Sequence, residues 1–479
     1  MKAILSRLAA AGVLAILPAS AQTPAASKPT PVKATIDSGV LIGDSQDGVN
    51  VFRGVPFAKP PIGALRWKAP QKPDKWAGER YATAFEPPCP QPVNIDQKTS
   101  NGGGVAGVQS EDCLYLNIYA PAKAKNAPVV VWLYGGASYL GAGHLGSYNG
   151  TGNARAGVIT IPINYRLGAL GTFSHPALTA EAAAKGETGG FALMDAVAAL
   201  QWAKRNAAAF GGDPNNITVA GQSAGAAMVV NLLAIPSAKG LYQKAVIESG
   251  ALIGPGRSEV DAEEAGAKAA TALGFSGKGA TMAQLRSVSA QTLVGNPETQ
   301  KGWSAPIDGR FKTTATIDAL KAGTEIDVPV MIGANSGEPG FDAARTVAKY
   351  TGAKGAGAWL YHFAYVPEFR KADWKSGAIH SAEIMFAFDS LDTSSWATGP
   401  GGNADAKDRA VAKRVNSCWV AFYKMDPKAK LLTCADGFNW TAYTDASDDA
   451  AEFRETPKLV KSRTIPNGPS PAAPAAKTN

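Results

Sequence analysis

Cysteine is scarce in this chain, with four in 479 residues, and histidine is no commoner at four. No CxxC pair occurs and no His stands at ligand spacing from a Cys, which excludes a zinc finger or ribbon. A disulfide-dense mini-scaffold is excluded by the same count. No stretch of about 18 apolar residues occurs, so a polytopic membrane protein is excluded. The net charge of +8 is dispersed, without a run of five Lys or Arg and without an interleaved aromatic stripe. Such charge reads as a solvated surface and not as a nucleic-acid footprint, although it leaves an anionic substrate open. There is no internal repeat and no long linker. What remains, at 45% hydrophobic and 18% charged, is an ordinary globular composition long enough to bury a large core.

The first residues read as an address. Lys2 and Arg7 precede the apolar run Leu8 to Leu17, and Ala19-Ser20-Ala21 follows, the layout of a secretory signal with cleavage expected after Ala21. Residues 1–21 are therefore read as signal peptide, 22–33 as a flexible linker and 34–465 as one domain. Residues 466–479 are read as a disordered tail, and export to the periplasm or outside the cell is expected. No lipid-anchor Cys lies near the cleavage site. In an exported chain four Cys should pair. Of three connectivities, the sequence-local one is favoured, Cys89–Cys113 with Cys418–Cys434, each bridge contributing about 3 kcal/mol.

The middle of the chain alternates apolar β-branched runs with helical segments. Val129 to Tyr134, Val158 to Tyr165, Asn216 to Ala220, Ala245 to Glu248 and Val328 to Ile332 read as strands buried on both faces. Gly190 to Phe210 reads as a helix between them. This pattern predicts an α/β fold with a mostly parallel central sheet flanked by helices. Ala34 to Gly43 and Val49 to Phe57 read as a small antiparallel part around a turn at Asp44 to Gly48.

Gly221-Gln222-Ser223-Ala224-Gly225 directly follows a predicted strand and opens a predicted helix, Ala224 to Leu233. A G-x-S-x-G in that setting is a nucleophile elbow, which exposes the Ser hydroxyl at a strand's C-terminal end. Attack on a carbonyl needs oxyanion donors, and the backbone of Gly135, Gly136 and Ala137 after a strand, with Ala224 beside the nucleophile, supplies them. It also needs a base. His380, in a loop before the helical Ser381 to Phe388, fits both chain order and setting. His362 suits a strand-borne packing role, His175 a turn, and His144 the mouth of a pocket. For the acid, Glu338 follows a strand through a short turn and is placed to orient an imidazole. Asp308 is its rival but reads as a turn residue.

Beyond these readings, the chain resembles the type-B carboxylesterases of the α/β-hydrolase fold, which include para-nitrobenzyl-esterase-like and cholinesterase-like proteins. The resemblance rests on Phe52 to Pro70, Ser110 to Asn117 (SEDCLYLN), Asn164 to Gly168 and Phe210 to Gly225 (FGGDPNNITVAGQSAG), in that order. It implies a serine esterase with Ser223, Glu338 and His380 as triad, a small-molecule ester substrate and no cofactor or metal. It further implies the Cys89–Cys113 bridge and the ion pairs Arg66–Glu111 and Arg166–Asp195.

Departures from the family pattern are specific. Tyr134 replaces a His, Ala137 a third Gly and Gln222 a Glu, and no Trp lies between Cys89 and Cys113. The determinants that hold choline esters are thus missing. Glu338 and His380 are only 42 positions apart, which implies a shortened wall and an open cleft. A non-catalytic binding protein on the same scaffold is the rival reading.

Overall fold

A computed structural model describes residues 28–92, 108–182, 188–300, 304–399 and 401–469. Residues 1–27, with the stretch read as a signal, and residues 470–479 lie outside it. Among the described residues, thirteen strands form one sheet. Its N-terminal side is antiparallel: β1 (Thr30–Ile36), β2 (Gly39–Gln46) and β3 (Val49–Pro56), with the short β4 (Glu79–Tyr81) beside β2, then β5 (Tyr115–Pro121). The centre is parallel, in the spatial order β7 (Ile159–Pro162), β6 (Ala127–Leu133), β8 (Gly212–Gln222), β9 (Lys244–Glu248), β10 (Val330–Asn335), β11 (Ala358–Phe363) and β14 (Asp449–Phe453). An antiparallel edge, β15 (Lys458–Lys461), closes it, and β12 (Leu431–Thr433) pairs with β13 (Asn439–Thr441) in a separate ribbon.

The parallel strands are long apolar runs because both faces are covered. Every residue of β6, β7, β9, β10 and β11 is buried. The covering helices include Phe191–Asn206, Ala224–Leu232, Phe341–Gly352 and Ala406–Lys424. This is the expected α/β-hydrolase arrangement, a mostly parallel sheet with an antiparallel N-terminal part.

Some boundaries differ from the sequence reading. β1 begins at Thr30, inside the stretch read as linker, because residues 30–36 find β2 as a pairing partner. The single strand expected over Ala34 to Gly43 is two strands. The chain reverses at Asp37-Ser38, and the Trp76 indole packs where a Cβ on Gly39 would stand. The next turn narrows to Asp47-Gly48, both at positive φ (49° and 80°), the conformation a two-residue hairpin requires. Only Ile384–Ala387 is α-helical in the segment expected to be a helix from Ser381. At the C-terminus, Asn467 and Gly468 are packed: Asn467 accepts from the Asp342 amide at 3.0 Å, and Gly468 presses on the backbone of Glu338.

Both disulfides pair as the local reading favoured, Cys89–Cys113 and Cys418–Cys434. Both implied ion pairs are present and bidentate. Arg166 grips Asp195 at 2.7 and 2.9 Å with both side chains almost fully buried, and Arg66 grips Glu111.

Candidate active site

At the C-terminal end of β8 the chain turns through Ser223 into the helix Ala224–Leu232. Ser223 sits at φ +56°, ψ −122°, a strained conformation for a residue with a Cβ. Two glycines make the turn possible by close approach. A Cβ on Gly225 would lie 2.0 Å from the Leu133 carbonyl, and one on Gly221 would lie 2.6 Å from the Gly225 backbone. The Ser223 amide donates to the Glu248 carbonyl of β9 at 2.8 Å, pinning the elbow to the sheet.

The turn after β6 runs beside it. Gly135 is there for packing: a Cβ would lie 2.7 Å from Gln222 Oε1 and 2.9 Å from Ser223 Cβ. Ala137 lines the cleft together with Ala224. Ala137 and Ser138 both take positive φ, 52° and 66°. The turn holds because Tyr139 and Leu140 donate to the Gly136 carbonyl at 3.0 and 2.9 Å, and Gly168 donates to that of Ser138 at 2.7 Å. Among the described residues, the N–H groups of Gly136 and Ala137 donate to no protein acceptor. The N–H of Ala224, first in its helix, points forward without an intrahelical partner.

Glu338 and His380 meet across two loops. The His380 Nδ1 contacts Glu338 Oε2. The other carboxylate oxygen of Glu338 accepts from the Asn335 amide at 2.8 Å. The loops themselves are stitched together: Gly337 donates to the Ala378 carbonyl at 2.8 Å, and Ala378 donates to Ser336 Oγ at 3.0 Å. Asn335 Nδ2 donates to the Ile379 carbonyl at 2.8 Å. With Nδ1–H directed at Glu338, the lone pair falls on Nε2, which accepts from Gln222 Nε2 at 3.3 Å.

Burial acts to lower the His380 pKa, but the hydrogen bond and charge of Glu338, helped by Glu383, outweigh it and the net shift is upward. Glu383 is itself fully buried. Burial first, then the Glu338 charge, pushes it up to about 7, while the amide of Asn335 opposes the rise. Glu248 beside it is also pushed well up, by burial and by the Glu383 charge, and it accepts from the Trp419 indole at 2.7 Å. These inner carboxylates were missed in the sequence. Glu383 stands three residues after His380, but nothing in the local pattern separates it from a solvated helix-start acid.

Ser223, His380, Ala137 and Ala224 line one cleft of about 720 Å³. His380, on its rim, has a side chain 34% exposed. The other candidates lie elsewhere. His362 is buried on β11 against Phe341 and 3.7 Å from Glu452. His175 bonds the Gly277 carbonyl at 3.0 Å, and His144 stacks on Phe85. Asp308 is the turn residue it resembled, its Oδ1 accepting from the amides of Arg310, Phe311 and Lys312. Tyr134 stacks on Tyr165 in the core.

The profile described as Carboxylesterase family matches residues 30–355. The chain is 31% identical over 500 residues to "Para-nitrobenzyl esterase" of Bacillus subtilis, covering 91% of this chain and 96% of that protein. It is 37% identical over 325 residues to "Fumonisin B1 esterase" of Sphingopyxis macrogoltabida, covering 64% of this chain and 58% of that protein. Among solved structures, a thermophilic PNB esterase superposes with a TM-score of 0.78 at 28% identity, covering 90% of this chain and 98% of its own. A Geobacillus stearothermophilus carboxylesterase gives 0.73 at 28% identity, with 89% and 97% covered. With its sheet and most of its length shared with these enzymes, and one cleft lined by both the elbow serine and His380, the chain is a carboxylic ester hydrolase and a member of the carboxylesterase family.

Proposed function

We propose that Ser223, His380 and Glu338 carry ester hydrolysis through an acyl-enzyme. His380 Nε2 takes the proton from Ser223 Oγ as the oxygen attacks the ester carbonyl. Glu338 holds the imidazole in the tautomer that puts the lone pair on Nε2, where the Ser223 proton replaces the weak Gln222 contact, and stabilises the imidazolium that forms. The N–H groups of Gly136, Ala137 and Ala224 hold the oxyanion; Gly135 serves the turn by its lack of a side chain. His380 then protonates the leaving alcohol, and water repeats the cycle to release the acid.

The observation that carries this reading is the Glu338–His380 contact in the cleft that also exposes Ser223. The substrate is a small-molecule ester. Choline esters are poor candidates, because Gln222 brings no negative charge beside the nucleophile. Secretion through a signal cleaved after Ala21 is part of the proposal, supported by the two disulfides. Among the described residues, no helix is long and apolar enough to cross a membrane.

Hydrolysis of p-nitrophenyl esters of increasing acyl length, with Ser223→Ala beside the wild type, tests the assignment. The variant should fold normally and lose at least about three orders of magnitude in kcat. Turnover retained in Ser223→Ala removes Ser223 from the mechanism.

A further inference from the structure

The cleft extends well past the nucleophile. Ala224, Ala227, Met228 and Asn231, on one face of the helix Ala224–Leu232, all line it. Asn231 stands two turns beyond Ser223, about 12 Å along the axis at about 1.5 Å per residue. There Asn231 accepts from Thr316 Oγ1 at 3.3 Å, so the far arm of the cleft is bounded by the segment that carries Thr316 and Lys312.

Lys312 is 5% exposed and lines this arm. Among the described residues its ammonium makes no hydrogen bond and no ion pair. An ammonium buried in that way is costly unless something pairs with it. The neighbouring Asp308 carboxylate attracts this ammonium through space but makes no direct contact with it, because both its oxygens accept from backbone amides. Its Oδ1 accepts from the amides of Arg310, Phe311 and Lys312, at 2.9, 2.9 and 3.0 Å, which fixes the loop and holds Lys312 in place. A second cation, Arg257, lines the same cleft and is more exposed. Among the described residues, no Asp or Glu lines the cleft, and Gln222 adds no charge near Ser223.

We propose that this arm is a carboxylate subsite: Lys312, assisted by Arg257, holds an ionised carboxyl group that the ester substrate carries at a distance from the scissile bond. The substrate class is then an ester bearing a remote carboxylate, on its acid or its alcohol part. One buried ammonium matches one such charge, and the incoming group replaces the water a neutral ester would leave around it. The inference rests on Ser223 as the nucleophile and refines its specificity.

Two matched pairs of substrates test it. One is mono-(4-nitrophenyl) suberate against its methyl ester, with the carboxylate on the acid. The other is 4-(butyryloxy)phenylacetate against its methyl ester, with the carboxylate on the alcohol. The wild type should favour the charged member of one pair in kcat/KM by about tenfold or more, less so at high salt. That pair identifies which part of the ester lies over the helix. Lys312→Met should lower the charged-to-neutral ratio at least tenfold, Lys312→Arg should retain most of it, and Arg257→Gln should lower it less.

A wild type that favours the neutral member of both pairs overturns the subsite, as does a ratio unchanged in Lys312→Met. Should Lys312→Met fail to fold, the wild-type ratios with Arg257→Gln decide. If no ester is turned over, the esterase reading falls, and the subsite is judged by binding alone. Monomethyl suberate titrated calorimetrically into Ser223→Ala should bind, and should not bind when Lys312→Gln is added to that background; absence of binding to Ser223→Ala, or equal binding with Lys312→Gln, overturns it.

Discussion

His380 shows how one residue's environment sets its chemistry. Burial alone would push an imidazole below its ordinary value of about 6.5, where it is a weak base. The Glu338 carboxylate reverses the sign, and the Glu383 charge adds to it. The base form is needed for attack, so the acid limb of kcat/KM should lie above the ordinary histidine value in the wild type. In Glu338→Gln the larger raising influence is gone, and burial is opposed by the Glu383 charge alone. The acid limb should move to lower pH, while kcat falls by about two to four orders of magnitude as the tautomer is lost. A pH profile of the two proteins checks both parts, and an acid limb that stays in place removes Glu338 as the partner of His380. Linkage has its own sign: a raised imidazole pKa contributes stability below the unfolded value and loses it as pH rises through the folded one. The active, neutral His380 is therefore the less stabilising form.

At the scale of an element, the turn after β6 is the place where sequence and conformation disagree. Its backbone makes two consecutive left-handed residues, Ala137 and Ser138, where side chains are disfavoured. The sequence revealed the Ala-for-Gly departure at position 137 and its restriction on φ, because a family motif supplied the comparison. It did not reveal that Ser138 shares the conformation, since nothing local encodes it. The turn persists because its own Tyr139 and Leu140 amides hold the Gly136 carbonyl, while the Gly168 amide of a neighbouring segment holds that of Ser138. Ala137→Gly should relieve about 1–2 kcal/mol of strain and return about 0.5–1 kcal/mol through backbone entropy. The net is a gain of up to about 1.5 kcal/mol. It should appear as a higher denaturation midpoint at unchanged slope. A lower midpoint means the turn is not strained at this position.

Over the whole molecule, the parts legible in the sequence are those whose environment is uniform. Strands buried on both faces must be apolar throughout, so β6, β7, β9, β10 and the buried end of β8 announce themselves, and the elbow is legible because its glycines answer to steric demands within five residues. The far arm of the cleft was not legible. Leu252, Arg257 and Lys312 sit on irregular segments without periodicity, and the burial of Lys312 depends on partners far away in the chain. The two disulfides illustrate the same division. Both pairings are sequence-local and close loops of 24 and 16 residues, each worth about 3 kcal/mol through the unfolded chain. Their consequences differ with position. Cys89 lies two residues before Gln91, whose amide clamps Gly141 from both sides, donating to its carbonyl at 2.8 Å and accepting from its N–H at 2.7 Å. Gly141 ends the segment that carries Gly136 and Ala137. Cys418–Cys434 instead ties the helix Ala406–Lys424 to the chain just after β12, on the other side of the sheet order. The double Ser variant of either pair should lose about 3 kcal/mol in equilibrium denaturation. Only Cys89→Ser/Cys113→Ser should also lower kcat of the folded enzyme, because only that bridge anchors the turn beside Ser223. Equal kcat losses in the two variants would mean that the bridges act on the cleft through global stability, and that the clamp on Gly141 holds without its disulfide.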